Sequence, residues 1–167
     1  MYYFRFLNNF IKLFTKKIFY KASIKGSLLQ SFGKHTEIII SKNAYVNFGR
    51  NIQSDGFCRI IAGKNSKLSI GEGTYFNNGC VVSSMKNITI GSHCLFGPNV
   101  AVFDNNHKFS ADKGVSYEHT CDDIEIGDNC WIAANVIILK GTKIGCNCVI
   151  GAGTKVSGEV PDGTIVT

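Results

Sequence analysis

Apolar residues recur every six positions through the C-terminal third of the chain. Ile126, Ile132, Ile138, Ile144, Ile150 and Val156 stand in strict step. Four places after each of the first five comes a smaller residue: Cys130, Val136, Thr142, Cys148 and Thr154. A helix repeats at 3.6 residues and a half-buried strand at 2, so neither period accounts for this. Six residues do fit one short strand plus a tight corner. Three such faces close a triangular coil of about 18 residues, and stacked coils pair their backbone groups with one another. The large aliphatic then points into the prism, and the small residue fills the corner beside it.

A four-residue signature extends the pattern upstream: VNFG (46–49), LSIG (68–71), ITIG (88–91), IEIG (124–127) and TKIG (142–145). Its glycines, which the corner needs for an unhindered backbone, stand 22, 20, 36 and 18 residues apart. The first two intervals and the last are single coils. The 36-residue interval holds one coil and a large extrusion, "FDNNHKFSADKGVSYEHTCDD" (103–123). Long excursions from a regular scaffold are where function concentrates. The expected fold is therefore all-β, with an N-terminal segment over 1–33 and a parallel β-helix over 34–167.

Residues 1–25 follow a helical period instead. Arg5, Asn8, Asn9, Lys12, Thr15 and Lys16 fall on one arc, and Phe4, Leu7, Phe10, Ile11, Phe14 and Ile18 lie opposite. This is a basic amphipathic helix with a broad apolar face. Packing of that face against the prism or a neighbouring subunit is one expectation. Docking on an anionic membrane surface is the other. Arg5, Lys12, Lys16, Lys17, Lys21 and Lys25 all precede the first acidic residue, Glu37, so the net charge of +6 belongs to this segment. The body carries no basic stripe, which argues against nucleic acid as a partner.

Cys58, Cys80, Cys94, Cys130 and Cys148 all occupy the small inward slot, where a thiol is a compact hydrophobe. With an odd count of seven and no metal-type pairs, the cysteines indicate a reducing cytoplasm rather than disulfides. No apolar run has the length of a spanning helix, and the start lacks a signal-peptide core.

The hexads resemble those of the hexapeptide-repeat acyltransferase family, over roughly residues 38–165. That resemblance, rather than the spacing, implies a left-handed coil, since parallel crossovers are otherwise right-handed. "FGPNVAVFDNNHKF" (96–109) resembles a segment of the sugar, galactoside and xenobiotic O-acetyltransferases, in which the histidine at the root of the extruded loop is the catalytic base. That role maps onto His107. An imidazole titrating near neutrality suits removal of a sugar hydroxyl's proton. Asp104 or a loop carbonyl would orient it, and Asp104 is also assigned to the substrate-binding residues. His119, His93 and His35 read as structural.

"YFNNGCVV" (75–82) resembles the family segment whose asparagine contacts the acceptor, and this maps onto Asn78. An asparagine in a left-handed corner is the alternative reading. The last coils resemble the acetyl-CoA groove, with Ala134, Ala152 and Ser157 at the matching positions. A backbone N–H near Ala134 is the candidate oxyanion donor.

The function these residues imply is acetyl-CoA-dependent O-acetylation of a sugar hydroxyl, in surface polysaccharide biosynthesis, by a cytoplasmic homotrimer. N-acetylation of a nucleotide-linked amino sugar and a non-catalytic scaffold are the alternatives. A prism-shaped zinc lyase needs a close histidine pair that His93, His107 and His119 do not form in sequence, so no metal is expected.

Overall fold

The computed structural model describes residues 7, 9–11, 13–15 and 23–167. Its body is a prism of three parallel sheets. Sheet I stacks Ser23–Gly26, Tyr45–Phe48, Lys67–Ile70, Asn87–Ile90, Ile124–Ile126, Lys143–Ile144 and Glu159–Val160. Sheet II stacks Gln53–Ser54, Tyr75–Phe76, Leu95–Phe96, Trp131–Ile132, Val149–Ile150 and Ile165–Val166. Sheet III stacks Glu37–Ile40, Arg59–Ala62, Val81–Ser84, Ala101–Phe103, Ile137–Ile138 and Lys155–Val156. Each coil visits the sheets in the order I, II, III.

The six-step series fills the interior as its spacing requires. Ile126 pairs with Ile144 in sheet I, Ile132 with Ile150 in sheet II, and Ile138 with Val156 in sheet III. All six are buried, as are Cys130, Val136, Thr142 and Cys148 in the slots between them. Lower coils widen the core with aromatics, and Phe76 stacks on Phe96 at 4.7 Å. The slot thiols also bridge coils. Cys94 donates to the Gly127 carbonyl at 3.1 Å and Cys130 to that of Gly145 at 3.0 Å.

The signature glycines are required for proximity rather than for turn conformation. None of Gly49, Gly71, Gly91, Gly127 and Gly145 has positive φ. Instead, a Cβ on Gly127 would lie 2.6 Å from the Cys146 nitrogen, and one on Gly71 would lie 2.4 Å from the Gly91 carbonyl carbon. The left-handed residue comes two places later, at Asn51, Gly73, His93, Asn129 and Asn147 on the edge between sheets I and II, and Gly163 takes the same place after Pro161. Asparagine tolerates that conformation best among non-glycine residues.

The prism starts earlier than position 34. Ser23–Gly26 is already a strand of sheet I, in register with Tyr45–Phe48. All the described residues between 7 and 15 are helical. They meet the prism on a face opposite to the expected one. Leu13 is fully buried, and the buried Asn9 amide donates to the Gln30 and Phe32 carbonyls at 3.2 and 3.1 Å. Leu7, Ile11 and Phe14 remain exposed. The lowest coil leaves carbonyls without a coil beneath them, so a buried amide is worth more there than another apolar side chain. Phe4, Arg5, Asn8, Lys12, Lys16 and Ile18 lie outside the described residues. Among those described, no helix is long and apolar enough to cross a membrane.

Two alanine substitutions separate proximity from conformation. Gly127→Ala is expected to cost about 2–3 kcal/mol in urea unfolding, because backbone must move. Gly153→Ala, where φ is +75° and no atom lies within 4 Å, is expected to cost only about 1 kcal/mol.

Candidate active site

The extrusion is an antiparallel ribbon, Asn105–Ser110 against Gly114–Cys121, thrown out at the edge between sheets III and I. Acidic residues fasten its root. Asp104 is fully buried. Its Oδ1 accepts from the Met85 N–H at 2.7 Å, and its Oδ2 from the Lys86 and Asn87 N–H groups at 2.8 and 2.9 Å. The Asn105 amide adds a fourth bond, to Oδ1 at 3.1 Å, and the Ser84 hydroxyl, shared with the Lys67 carbonyl at 2.7 Å, lies 3.1 Å from Oδ2. Asp122 pairs with Lys140 and Asp123 with Lys86, one strand root to each neighbouring coil. The hydrogen bond from Lys140 holds Asp122 below the usual carboxylate range, and that from Lys86 does the same for Asp123. A depressed folded pKa contributes stability above the unfolded carboxylate range and loses it as pH falls through the folded value. The root therefore stays clamped throughout neutral pH.

His107 stands opposite His119 in the ribbon, with ring centroids 4.4 Å apart. Its Nδ1 lies 3.0 Å from the Ser116 carbonyl oxygen. A carbonyl only accepts, so Nδ1 donates here and Nε2 is the ring nitrogen left to accept. The ribbon is two-faced. Strand alternation puts His107, Phe109, Val115, Tyr117 and His119 on one side and Asn106, Lys108, Glu118 and Thr120 on the other. Lys108 and Glu118 form an ion pair at 2.6 Å on the polar side. Phe109, Val115 and Tyr117 are exposed on the apolar one.

Asn78, Ala134 and Ala152 form a column on a different edge, between sheets II and III. The Asn99 N–H donates to the Asn78 carbonyl, the Asn135 N–H to that of Pro98, and the Gly153 N–H to that of Ala134. Asn78, Pro98, Ala134 and Ala152 thus take equivalent positions in successive coils. Asn78 does not hold the left-handed place in its corner; Gly79 does, at φ 77°. Its side chain is exposed.

The two edges that flank sheet II differ in one respect. On the I–II edge the equivalent N–H groups are capped: Ser92 by Asp128 at 2.7 Å and Cys146 by Asp162 at 2.8 Å. On the II–III edge the Ala134 and Ala152 N–H groups donate to no acceptor among the described residues. The methyl side chains there offer no acceptor; Ala134 is half-buried and Ala152 exposed. Ser157 is exposed at the III–I edge, on the ribbon's own side of the prism.

Within one chain the structure gathers Asn78, Ala134 and Ala152 on one edge, and places His107 and Ser157 with the other. Asp104 is removed from the substrate-contact set, because every hydrogen bond it makes is spent on the root. Orientation of His107 falls to the Ser116 carbonyl. The sequence carries no mark of that, since it depends on the ribbon's register. The tilted packing of His119 against His107, at 36° between the ring planes, was missed for the same reason. Among the described residues no group of three His, Cys, Asp or Glu side chains is placed to hold a metal ion.

A family model described as bacterial transferase hexapeptide (six repeats) matches residues 123–158. The galactoside O-acetyltransferase of Lactococcus lactis subsp. lactis is 35% identical over 124 residues, covering 72% of this chain and 51% of its own length. The chain spans about half the length of the curated relatives it matches. A solved maltose O-acetyltransferase from Clostridium difficile superimposes with a TM-score of 0.52 at 28% identity, covering 81% of this chain and 63% of that one. The N-acyltransferase AntD from Bacillus cereus, in complex with dTDP and 3-hydroxybutyryl-CoA, reaches a TM-score of 0.67 at 18% identity over 92% and 81% of the two chains. At that identity it speaks for the fold alone.

Asp104→Ala strands three backbone donors and is expected to cost about 3 kcal/mol in chemical unfolding. Amide exchange should accelerate first at Met85, Lys86 and Asn87.

Proposed function

We propose, from the premise that the chain belongs to the hexapeptide-repeat family, that it transfers acetyl from acetyl-CoA to a sugar hydroxyl. The observation that carries this is the uncapped pair of N–H groups at Ala134 and Ala152, on an edge whose neighbour is capped by aspartate at Ser92 and Cys146. A pantetheine arm is a chain of amides. It can lie along the edge, accept from these donors, and meet only methyl groups. The Ala134 N–H is then positioned to receive the charge that develops on the thioester oxygen. The galactoside and maltose O-acetyltransferases named among the relatives support a sugar as acceptor.

In the reaction, His107 Nε2 takes the proton of the acceptor hydroxyl as its oxygen attacks the thioester carbon. The tetrahedral intermediate places its negative oxygen at the Ala134 N–H. Collapse breaks the C–S bond, and the imidazolium returns its proton to the leaving thiolate. The Ser116 carbonyl steadies Nδ1–H throughout. Asn78, on the same edge as the thioester, positions the acceptor.

His107 and the Ala134 edge lie at different corners of one prism, so a complete site takes two copies. Two surfaces support that arrangement. The ribbon's Phe109, Val115 and Tyr117 face is uncovered, and a two-stranded ribbon alone is marginally stable in water. The outer face of sheet II carries an exposed column of Leu95, Trp131 and Ile165 in register, whereas sheet I presents Lys67, Thr89, Glu125, Lys143 and Glu159. A closed ring of three copies lets each ribbon cover its neighbour's apolar sheet and reach the adjoining edge.

Acetyl-CoA as donor fits a reaction in the cytoplasm, and the acceptor in this reading is a precursor of surface polysaccharide. The outward stripe of Leu7, Ile11 and Phe14, in a segment with no acidic residue before Glu37, fits the anionic inner surface of the membrane.

Two substitutions test the chemistry by mass-spectrometric detection of acetylated sugar. His107→Ala is expected to lower kcat by about 10²–10⁴-fold. Ala134→Pro removes one N–H at a column position where Pro98 already stands, and is expected to lower kcat by about 10²–10³-fold with stability retained. Wild-type rates in either variant contradict the mechanism. For the membrane contact, the full chain should sediment with phosphatidylglycerol vesicles. The Ile11→Asp, Phe14→Asp variant should remain in the supernatant, and equal sedimentation of the two contradicts docking through this stripe.

A further inference from the structure

The third corner residue on the II–III edge is left-handed in five successive coils: Phe57 (φ 57°), Gly79 (77°), Asn99 (59°), Asn135 (59°) and Gly153 (75°). The equivalent residue of the lowest coil, His35, has no positive φ. Four of the five coils place glycine or asparagine there. The lowest of the five places phenylalanine, for which this backbone is a genuine outlier. Strain of that kind persists where something other than folding requires the side chain. Core packing does not require it, since Phe57 is 65% exposed.

The ring is nevertheless held in place. His35 stacks on one of its faces, with centroids 4.7 Å apart and an interplanar angle of 13°. The other face is open. Beside the ring, Gly56 lies directly beneath the acceptor corner, and its carbonyl accepts from the Gly79 N–H. A Cβ on Gly56 would meet nothing nearer than the Asn78 amide oxygen, at 3.8 Å. Across the same turn, the Asp55 carboxylate accepts from the Tyr75 hydroxyl at 2.7 Å. A fixed aromatic plane, a cleared floor and a carboxylate thus sit one coil below the proposed acceptor position, facing the Asn78 amide.

We infer that Phe57, backed by His35, is a stacking subsite for a second sugar ring, so that the acceptor is an oligosaccharide or glycan chain rather than a free monosaccharide. A pyranose offers one face of C–H groups and a rim of hydroxyls. The C–H face lies on the open side of Phe57, and the rim meets the Asn78 amide and the Asp55 carboxylate. The carboxylate favours a neutral sugar over a phosphorylated one. This inference rests on Asn78 marking the acceptor end of the edge, as in the proposed function.

The test uses the full chain without acetyl-CoA, so that binding is read apart from catalysis. Saturation-transfer NMR with millimolar lactose, maltose and cellobiose is expected to show transfer to the C–H protons of one pyranose ring. Phe57→Asn, which suits the left-handed corner as Asn99 and Asn135 do, should abolish that transfer. Phe57→Trp should retain it. Thermal unfolding of Phe57→Asn should rise by about 2–4 °C, because strain is released, with its mass by light scattering unchanged. Absence of transfer to all three disaccharides, or equal transfer in Phe57→Asn, overturns the subsite. So does a fall in melting temperature or a change in assembly, which would make Phe57 a structural or interface residue. Binding without acetyl transfer in a later assay would leave the subsite standing and remove the acetyltransferase reading. Transfer to a monosaccharide alone would do the reverse.

Discussion

Everything in this molecule depends on how closely one coil can lie on the next. Inter-coil N–H···O=C bonds of 2.7–3.4 Å run along all three sheets and into the corners. They hold only if successive coils follow nearly the same path. The signature glycines enforce this where main chain meets main chain. Any Cβ there would stand well inside contact distance of the coil above. The six-residue period of large aliphatics is the interior counterpart of the same demand, since residues of one column must stack on their equivalents. Local requirements at the corner and in the core therefore select the same register, and such agreement gives a sequence one structure.

A scaffold so uniform can differ in chemistry only where its rules relax. One relaxation is the ribbon between Asp104 and Asp123, fastened to the coils on either side by the buried Asp104 and by the Asp122–Lys140 and Asp123–Lys86 pairs. A second is the absence of capping at Ala134 and Ala152, on an edge otherwise built like its neighbour. A third is the aromatic at Phe57 in a corner meant for glycine or asparagine. In each case a group is left with something to offer: an imidazole nitrogen, two amide hydrogens, an open ring face. The scaffold's regularity determines how far apart they lie.

The sequence revealed most where the physical demand was periodic. Ile126 through Val156 could be assigned to the three faces in rotation from spacing alone, and the ribbon could be located from the one interval that broke the count. It revealed least where the answer depended on a partner far along the chain. Asp104, Asp112, Asp122 and Asp123 are alike as letters. Only the fold shows that Asp104 turns back to Met85, Lys86 and Asn87 and so cannot face a substrate. The choice of Ser116 as the partner of His107 depends on a ribbon register with an irregularity between His107 and Phe109. The helix misled for a similar reason: helical periodicity identifies an apolar face but not whether that face meets protein. Here the carbonyls of Gln30 and Phe32 recruited Asn9, and the stripe of Leu7, Ile11 and Phe14 was left outward.

The account's central claim is that the imidazole of one copy works over the open amide edge of another. Mixed assembly tests it most directly. Chains carrying only His107→Ala and chains carrying only Ala134→Pro are unfolded together, refolded at equal ratio, and assayed for acetyl transfer. If each site draws its base and its edge from different copies, random assembly restores roughly a quarter of wild-type activity. If activity stays at the level of the separate variants while light scattering shows mixed assemblies, both groups act within one chain and the account is wrong.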